Sequence, residues 1–219
     1  MKNQLSNETY REILELAINK SEMRRWMLNP VNAFGRTHAT DGYSVVTVPE
    51  IGEFENVESK MKNVYPIEPN MNKQYSVAEI QAALDKMPKV NVYSEEKVKC
   101  DACNGNGEVE YEFSHKGKDY TSDLECPICE GDGFIMTESS SVIGQDYNYD
   151  YAVKIGICGM HVKRIKLLLD IAEKAGSGMI ELLNQTEPHH ANLFRISDVE
   201  IIAMPVSLHE NDMNCPVKI

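Results

Sequence analysis

At 219 residues, with 42% hydrophobic and 26% charged side chains, the chain has the composition of a globular protein with one sizeable core and room for a small second module. No run approaches the roughly 18 consecutive apolar residues that a membrane span requires, and the polar start MKNQLSNETYREIL enters a helical pattern instead of reading as a secretory signal. Twenty-two basic residues against 34 acidic ones leave a net charge of −12, which excludes a protein that coats nucleic acid indiscriminately but allows one with a single basic face.

Residues 8–19 place Ile13, Leu14, Leu16, Ala17 and Ile18 along a helical stripe, with Ser6 or Asn7 as N-cap. Residues 23–34 read as extended, with Trp26 in the core and a bend at Gly35. Asp41-Gly42, followed by the β-branched run Val45-Val46-Thr47-Val48, predicts a hairpin. Residues 50–75, with Pro49, Pro66 and Pro69 nearby, read as a long excursion with little regular structure. Ser76 and Glu79 form a capping box that opens a helix with an apolar face of Val77, Ile80, Ala83 and Leu84, stopped by Pro88. A short strand is expected at Val90–Tyr93, a loop over 138–148 and a strand over 151–157. The strongest helix covers 160–175 and is ended by Gly176; strands follow at 179–183, 192–196 and 199–206, then a frayed, polar end. Both ends of the chain thus read as a helix followed by about three strands, the second also preceded by one. This predicts an α+β domain of two βαβββ halves, discontinuous over 1–95 and 140–219, with an inserted module at 96–139.

The module carries Cys100, Cys103, Cys126 and Cys129, two C-x-x-C pairs separated by 22 residues. A two-residue spacer lets both sulfurs of a pair face one ion, and the glycines after each pair (Gly105 and Gly107, Gly131 and Gly133) permit turns that aim N–H groups at thiolates. Two such knuckles predict one structural zinc ion in a four-cysteine site of zinc-ribbon spacing, with no open position for catalysis. Pairs of this kind read as metal ligands in a reducing compartment, so the expected location is the cytoplasm. Between them, residues 108–125 alternate as a hairpin with its turn at His115–Lys118. Redox chemistry at one pair is the alternative, but no thioredoxin-like context surrounds either.

Cys158 and Cys215 read as buried small residues, and His161, His189 and His190 as ordinary polar ones without a carboxylate partner at ligand spacing. No phosphate loop, H-E-x-x-H or G-x-S-x-G occurs, so no enzyme is expected.

The C-x-x-C-x-G-x-G repeats resemble the cysteine-rich zinc domain of DnaJ-type chaperones, with two repeats where that family usually carries four; only the knuckle carries over. In the flanking segments, 39-ATDGYSVVTVP-49 after a helix, the helix 160-MHVKRIKLLLDIAEKA-175 and the closing 199-VEIIAMPVSL-208 resemble the bacterial DNA sliding clamp, the polymerase III β subunit. That resemblance implies a clamp-like domain whose two long helices meet double-stranded DNA through Arg11, Lys20, Lys163, Arg164, Lys166 and Lys174, by sequence-blind phosphate contacts. It also implies a processivity or scaffold role in replication or repair, protein partners such as a polymerase, and assembly of several copies. The competing expectation is that these cations only solvate amphipathic helices, and that the zinc hairpin is a protein–protein adaptor without DNA.

Overall fold

In the computed structural model, which describes residues 4–18, 27–206 and 217–219, the chain forms α1 (Asn7–Glu15), β1 (Val31–Ala33), β2 (Arg36–Thr40), β3 (Ser44–Pro49), α2 (Glu58–Met61), β4 (Lys73–Ser76) and α3 (Val77–Asp85). There follow β5 (Lys89–Lys99), β6 (Glu108–His115), β7 (Lys118–Glu125), β8 (Phe134–Tyr147), β9 (Ala152–Ile155), β10 (Cys158–His161), α4 (Val162–Lys174), β11 (Met179–Asn184), β12 (Asn192–Ile196), β13 (Val199–Ala203) and β14 (Val217–Lys218). They divide into two units, one built from Met1–Pro88 and Tyr147–Ile219, the other from Lys89–Asp146.

In the first unit, β1–β2–β3 form one antiparallel meander and β11–β12–β13 a second. The meanders join edge to edge, β3 against β13, with Val46 opposite Ile201 and Val45 opposite Ile202. A helix precedes each meander, so the two-halved α+β architecture expected from the sequence is present. Strand β4 adds to β11 and completes a seven-stranded sheet.

Period-two alternation then divides the side chains between two buried faces. Val46, Phe194 and Ile201 pack with Ile13 and Leu14 of α1, Ile80 and Leu84 of α3, and Leu168 and Ile171 of α4. Their neighbours Val45, Leu193 and Ile202 turn to the other face, where Val57 and Met61 pack on them, flanked by Tyr65 and Ile67. The prolines and acidic residues of the excursion hide this role: it is the second layer of the sheet. Buried polar groups pin it there. Asn32 Nδ2 donates to the carbonyls of Ile51 (3.0 Å) and Phe54 (3.1 Å), Thr37 Oγ1 donates to Asn32 Oδ1 (2.7 Å), and Asn184 Nδ2 donates to the Glu68 carbonyl (2.6 Å).

Local signals set the helix ends. Ser6 caps α1 by accepting from the Thr9 N–H, and the Ser76–Glu79 capping box is formed in both directions. Several expectations need correction. The excursion contains α2 and β4. The long helix starts at Val162, because Met160 and His161 belong to β10, with His161 as its N-cap. The serine-rich stretch expected as a loop is most of β8, paired with β5; a partner's ladder overrides local composition. Residues 217–218, expected to fray, form a parallel strand beside Val153 and Lys154. Lys20, Trp26 and Cys215 lie outside the described residues.

Candidate metal centre

The second unit runs out along β5, through one knuckle, around the β6–β7 hairpin, through the other knuckle and back along β8. The knuckles 100-CDACNGNG-107 and 126-CPICEGDG-133 repeat each other in sequence and backbone. Asn104 and Glu130 both have φ near 51°, and Gly105 and Gly131 follow at 79° and 86°. Gly107 N–H donates to Cys103 Sγ (3.3 Å) and Gly133 N–H to Cys129 Sγ (3.2 Å). The knuckles are also laced reciprocally: Cys100 N–H donates to the Gly133 carbonyl (2.9 Å) and Cys126 N–H to the Gly107 carbonyl (2.8 Å).

This lacing brings all four sulfurs into one buried cluster with every ligand atom within 4.8 Å of the others, close enough to hold a metal ion. Cys100 and Cys126 Sγ are 3.9 Å apart, and Cys103 and Cys129 Sγ are 3.7 Å apart. A tetrahedron with about 2.3 Å metal–sulfur bonds has edges of about 3.8 Å, so the donors fit zinc in kind, number and spacing. Burial works against the thiolate at Cys103 and Cys129, the second cysteine of each pair. At Cys103 the Gly107 N–H and neighbouring thiols outweigh it and bring the pKa down to about 7, whereas Cys129 is pushed up to about 11. A divalent cation would balance the charge of the thiolates gathered here. Apart from the cysteines, only Val109 and Ile135 pack on this cluster, so the unit has almost no apolar core of its own.

Cross-strand register gives the β6–β7 hairpin two unlike faces. Val109 lies opposite Leu124 and Phe113 opposite Tyr120, whose rings stack at 5.0 Å, with Tyr111 between them. The reverse face sets Glu108 opposite Glu125 and Glu110 opposite Asp123. Phe113 is 60% exposed, and Met136 and Ile143 on β8 are 59% and 67% exposed. With five lysines against thirteen acidic residues, Lys89–Asp146 carries −8 of the chain's −12.

Two of the cations expected to meet DNA are paired with carboxylates. Arg11 is held in a two-pronged ion pair by Glu53 (2.8 and 3.0 Å), and Lys174 Nζ pairs with Glu12 at 2.8 Å. Lys163, Arg164 and Lys166 lie in the first two turns of α4, each against a tyrosine ring: Tyr149 at 5.3 Å, Tyr43 at 4.8 Å and Tyr147 at 4.7 Å. Burial lowers the pKa of Arg164, with Asp41 and Tyr43 opposing. Cys158 is buried, as expected. His189 and His190, read from sequence as lacking a carboxylate partner, have one: Glu187 Oε2 lies 3.2 Å from His189 Nε2 and 3.7 Å from His190 Nε2. The segment reads Thr-Glu-Pro-His-His, so the carboxylate lay within three residues; only the turn that folds it back was hidden.

A family model described as Anti-TRAP, the tryptophan RNA-binding attenuator protein inhibitory protein, matches residues 90–143, about a quarter of the chain. None of the curated proteins compared with the chain matches it. Among solved structures it is similar to the DNA polymerase sliding clamp of Pseudomonas aeruginosa (12% identity, 90% of this chain and 63% of that one, TM-score 0.45). It is also similar to the sliding clamp of Caulobacter crescentus (11%, 93% and 65%, TM-score 0.46) and to the Helicobacter pylori β clamp bound to a DNA ligase peptide (10%, 91% and 63%, TM-score 0.48). The chain spans just under two thirds of the length of these clamps. No helix among the described residues is long and apolar enough to cross a membrane.

Proposed function

We propose that this chain is a non-enzymatic, sliding-clamp-like scaffold whose zinc-held arm, residues 89–146, is its protein-contact element. The observation that carries this reading is the two-faced hairpin. A ribbon that only needed to stay soluble would not set Glu108 against Glu125 and Glu110 against Asp123, since like charges directly opposite one another destabilise a pair. Nor would it hold a stacked Phe113–Tyr120 pair in water on the reverse side. Aromatic anchors beside a strongly negative face suit a partner surface that is basic and has an apolar pocket. The family model matching this segment names an inhibitory protein directed at an RNA-binding protein. A nucleic-acid-binding protein is thus the class of partner proposed here. Zinc, bound by Cys100, Cys103, Cys126 and Cys129, supplies shape and not chemistry.

A second reading is favoured by one observation, the three cations in the first two turns of α4. There Lys163, Arg164 and Lys166 would take backbone phosphates of duplex DNA in a cytoplasmic replication or repair complex, with several copies of the chain assembled. The pairing of Arg11 and Lys174 with carboxylates favours Lys163, Arg164 and Lys166 as the contact among the described residues of these helices.

The two readings separate in one set of measurements. A photoreactive side chain at position 113 should cross-link a basic partner, and Glu108→Lys/Glu110→Lys/Glu112→Lys should abolish that capture. DNA binding should instead weaken with salt, with a log–log slope no steeper than about −3 for three phosphates, and be lost in Lys163→Glu/Arg164→Glu. An arm that captures nothing, in a chain whose native mass and DNA affinity depend on Lys163 and Arg164, would sink the arm reading.

A further inference from the structure

A second set of metal-ligand atoms lies in the first unit, in the connection between β11 and β12. Glu187, His189 and His190 present one carboxylate oxygen and two imidazole nitrogens, all within 4.8 Å of one another. The separations from Glu187 Oε2 are 3.2 Å to His189 Nε2 and 3.7 Å to His190 Nε2. Donors about 2.0–2.2 Å from a tetrahedral zinc stand about 3.4 Å apart, so both carboxylate–imidazole separations are already within a few tenths of an ångström of that spacing.

The surroundings orient the donors as ligands are usually oriented. His190 Nδ1 lies 3.1 Å from Thr186 Oγ1. If Nδ1 carries the proton and donates there, Nε2 keeps its lone pair and turns it toward the carboxylate. Such an outer hydrogen bond is the ordinary device that fixes the tautomer of a metal-bound imidazole. A lone pair facing a carboxylate is unfavourable unless positive charge sits between them, either a proton on the ring or a cation. The anchoring of the segment is also good. The Cys158 thiol donates to the Glu187 carbonyl (3.4 Å), the His190 N–H donates to the same carbonyl (3.1 Å), and Gln185 Nε2 ties the start of the segment to the Ile155 carbonyl (3.0 Å) and to Asn192 Oδ1 (3.0 Å).

We propose that Glu187, His189 and His190 form a second metal site, for a divalent late-transition ion such as zinc. Two imidazoles and one carboxylate suit zinc, cobalt or nickel and suit calcium or magnesium poorly. All three side chains are more than half exposed, so water completes the coordination. The site is separate from the cysteine cluster and does not depend on the function assigned to the arm.

The test uses the full-length, untagged chain with its cysteine site already loaded. Zinc is titrated in, and bound ions are counted by native mass spectrometry. The expected result is two ions per chain for the wild type and one for His189→Ala/His190→Ala. Cys100→Ser/Cys126→Ser should keep the ion in the first unit even if its arm does not fold. Thr186→Val should weaken the second ion about tenfold, as losing an outer-shell partner commonly does. Refilled with cobalt, the second site should lack the thiolate charge-transfer absorption of the first. A wild type that saturates at one ion, or a double histidine variant that still binds two, would overturn the proposal.

Discussion

Gly107 and Gly133 carry more of the metal centre than their size suggests. At Gly107 φ is +80°, and a Cβ there would stand 2.2 Å from the Gly131 carbonyl oxygen; at Gly133 it would stand 2.4 Å from that of Gly105. Backbone cannot move aside as a side-chain tip can, so Gly107→Ala should push the knuckles apart and cost at least tenfold in zinc affinity, read by chelator competition. Gly117 is the control. It has φ +75° at the hairpin turn but open space around it, so Gly117→Ala should cost about 1–2 kcal/mol of backbone strain and leave zinc affinity unchanged. A second residue-scale case is His38, buried between β1 and β3. Its Nε2 faces the Ala33 carbonyl at 3.0 Å, which can only accept, so Nε2 carries the hydrogen and Nδ1 accepts from Thr47 Oγ1 at 2.8 Å. Burial pushes the His38 pKa below its ordinary value. The folded state therefore prefers the neutral ring. Its contribution should be complete above the unfolded pKa of about 6.5 and lost as pH falls below it. Urea midpoints between pH 8 and 5 should show that decline, with part left by His161, which burial lowers in the same direction. His38→Gln should flatten it by the share of one proton; an unchanged slope would refute the assignment.

Among elements, the β6–β7 hairpin was the most legible and its purpose the least. Alternation of Val109, Tyr111 and Phe113 and the Lys116-Gly117 turn are local features, and both strands end where local reading puts the turn. What alternation alone does not reveal is the register that sets Glu110 opposite Asp123. Glu110→Lys would exchange that repulsion for an attraction and should stabilise the arm by about 0.2–1 kcal/mol, read as slower amide exchange in β6 and β7. On the arm reading, the same substitution should weaken partner capture. Stabilisation with capture unchanged would show that the acidic face has no binding role. Strand β8 makes the opposite point. Serines at 139–141 read as a loop because propensity is summed along the chain, whereas the ladder with β5 and the hydroxyl contact between Ser94 and Ser139 form across it.

At the scale of the whole molecule, charge and core are divided unequally. The first unit holds the two-layered apolar core and a net charge of only −4, the remainder after the arm's −8. The arm holds most of the charge and a core made essentially of four cysteines. With zinc held by the four cysteines as proposed, a chelator should therefore unfold the arm while leaving the first unit intact. Amide protection should vanish over 100–133 and persist in α4 and β11–β13; cooperative loss in both units would contradict the division. Metal binding and folding are one equilibrium in such a module.

The sequence by itself determined the features that depend on neighbours along the chain. These are the four cysteines at knuckle spacing, the capping box at Ser76, the hairpin turn at Asp41-Gly42 and the repeated pattern of a helix before three strands. Tertiary structure alone decided what depends on groups brought together from afar. It placed the excursion over the second face of the sheet through Asn32 and Asn184, and it occupied Arg11 and Lys174 with Glu53 and Glu12. It also turned Glu187 back onto two histidines. The physical reason is the same in each case. Backbone geometry and local hydrogen bonds are set within a few residues, whereas the partner of a charge or a buried amide is chosen by packing.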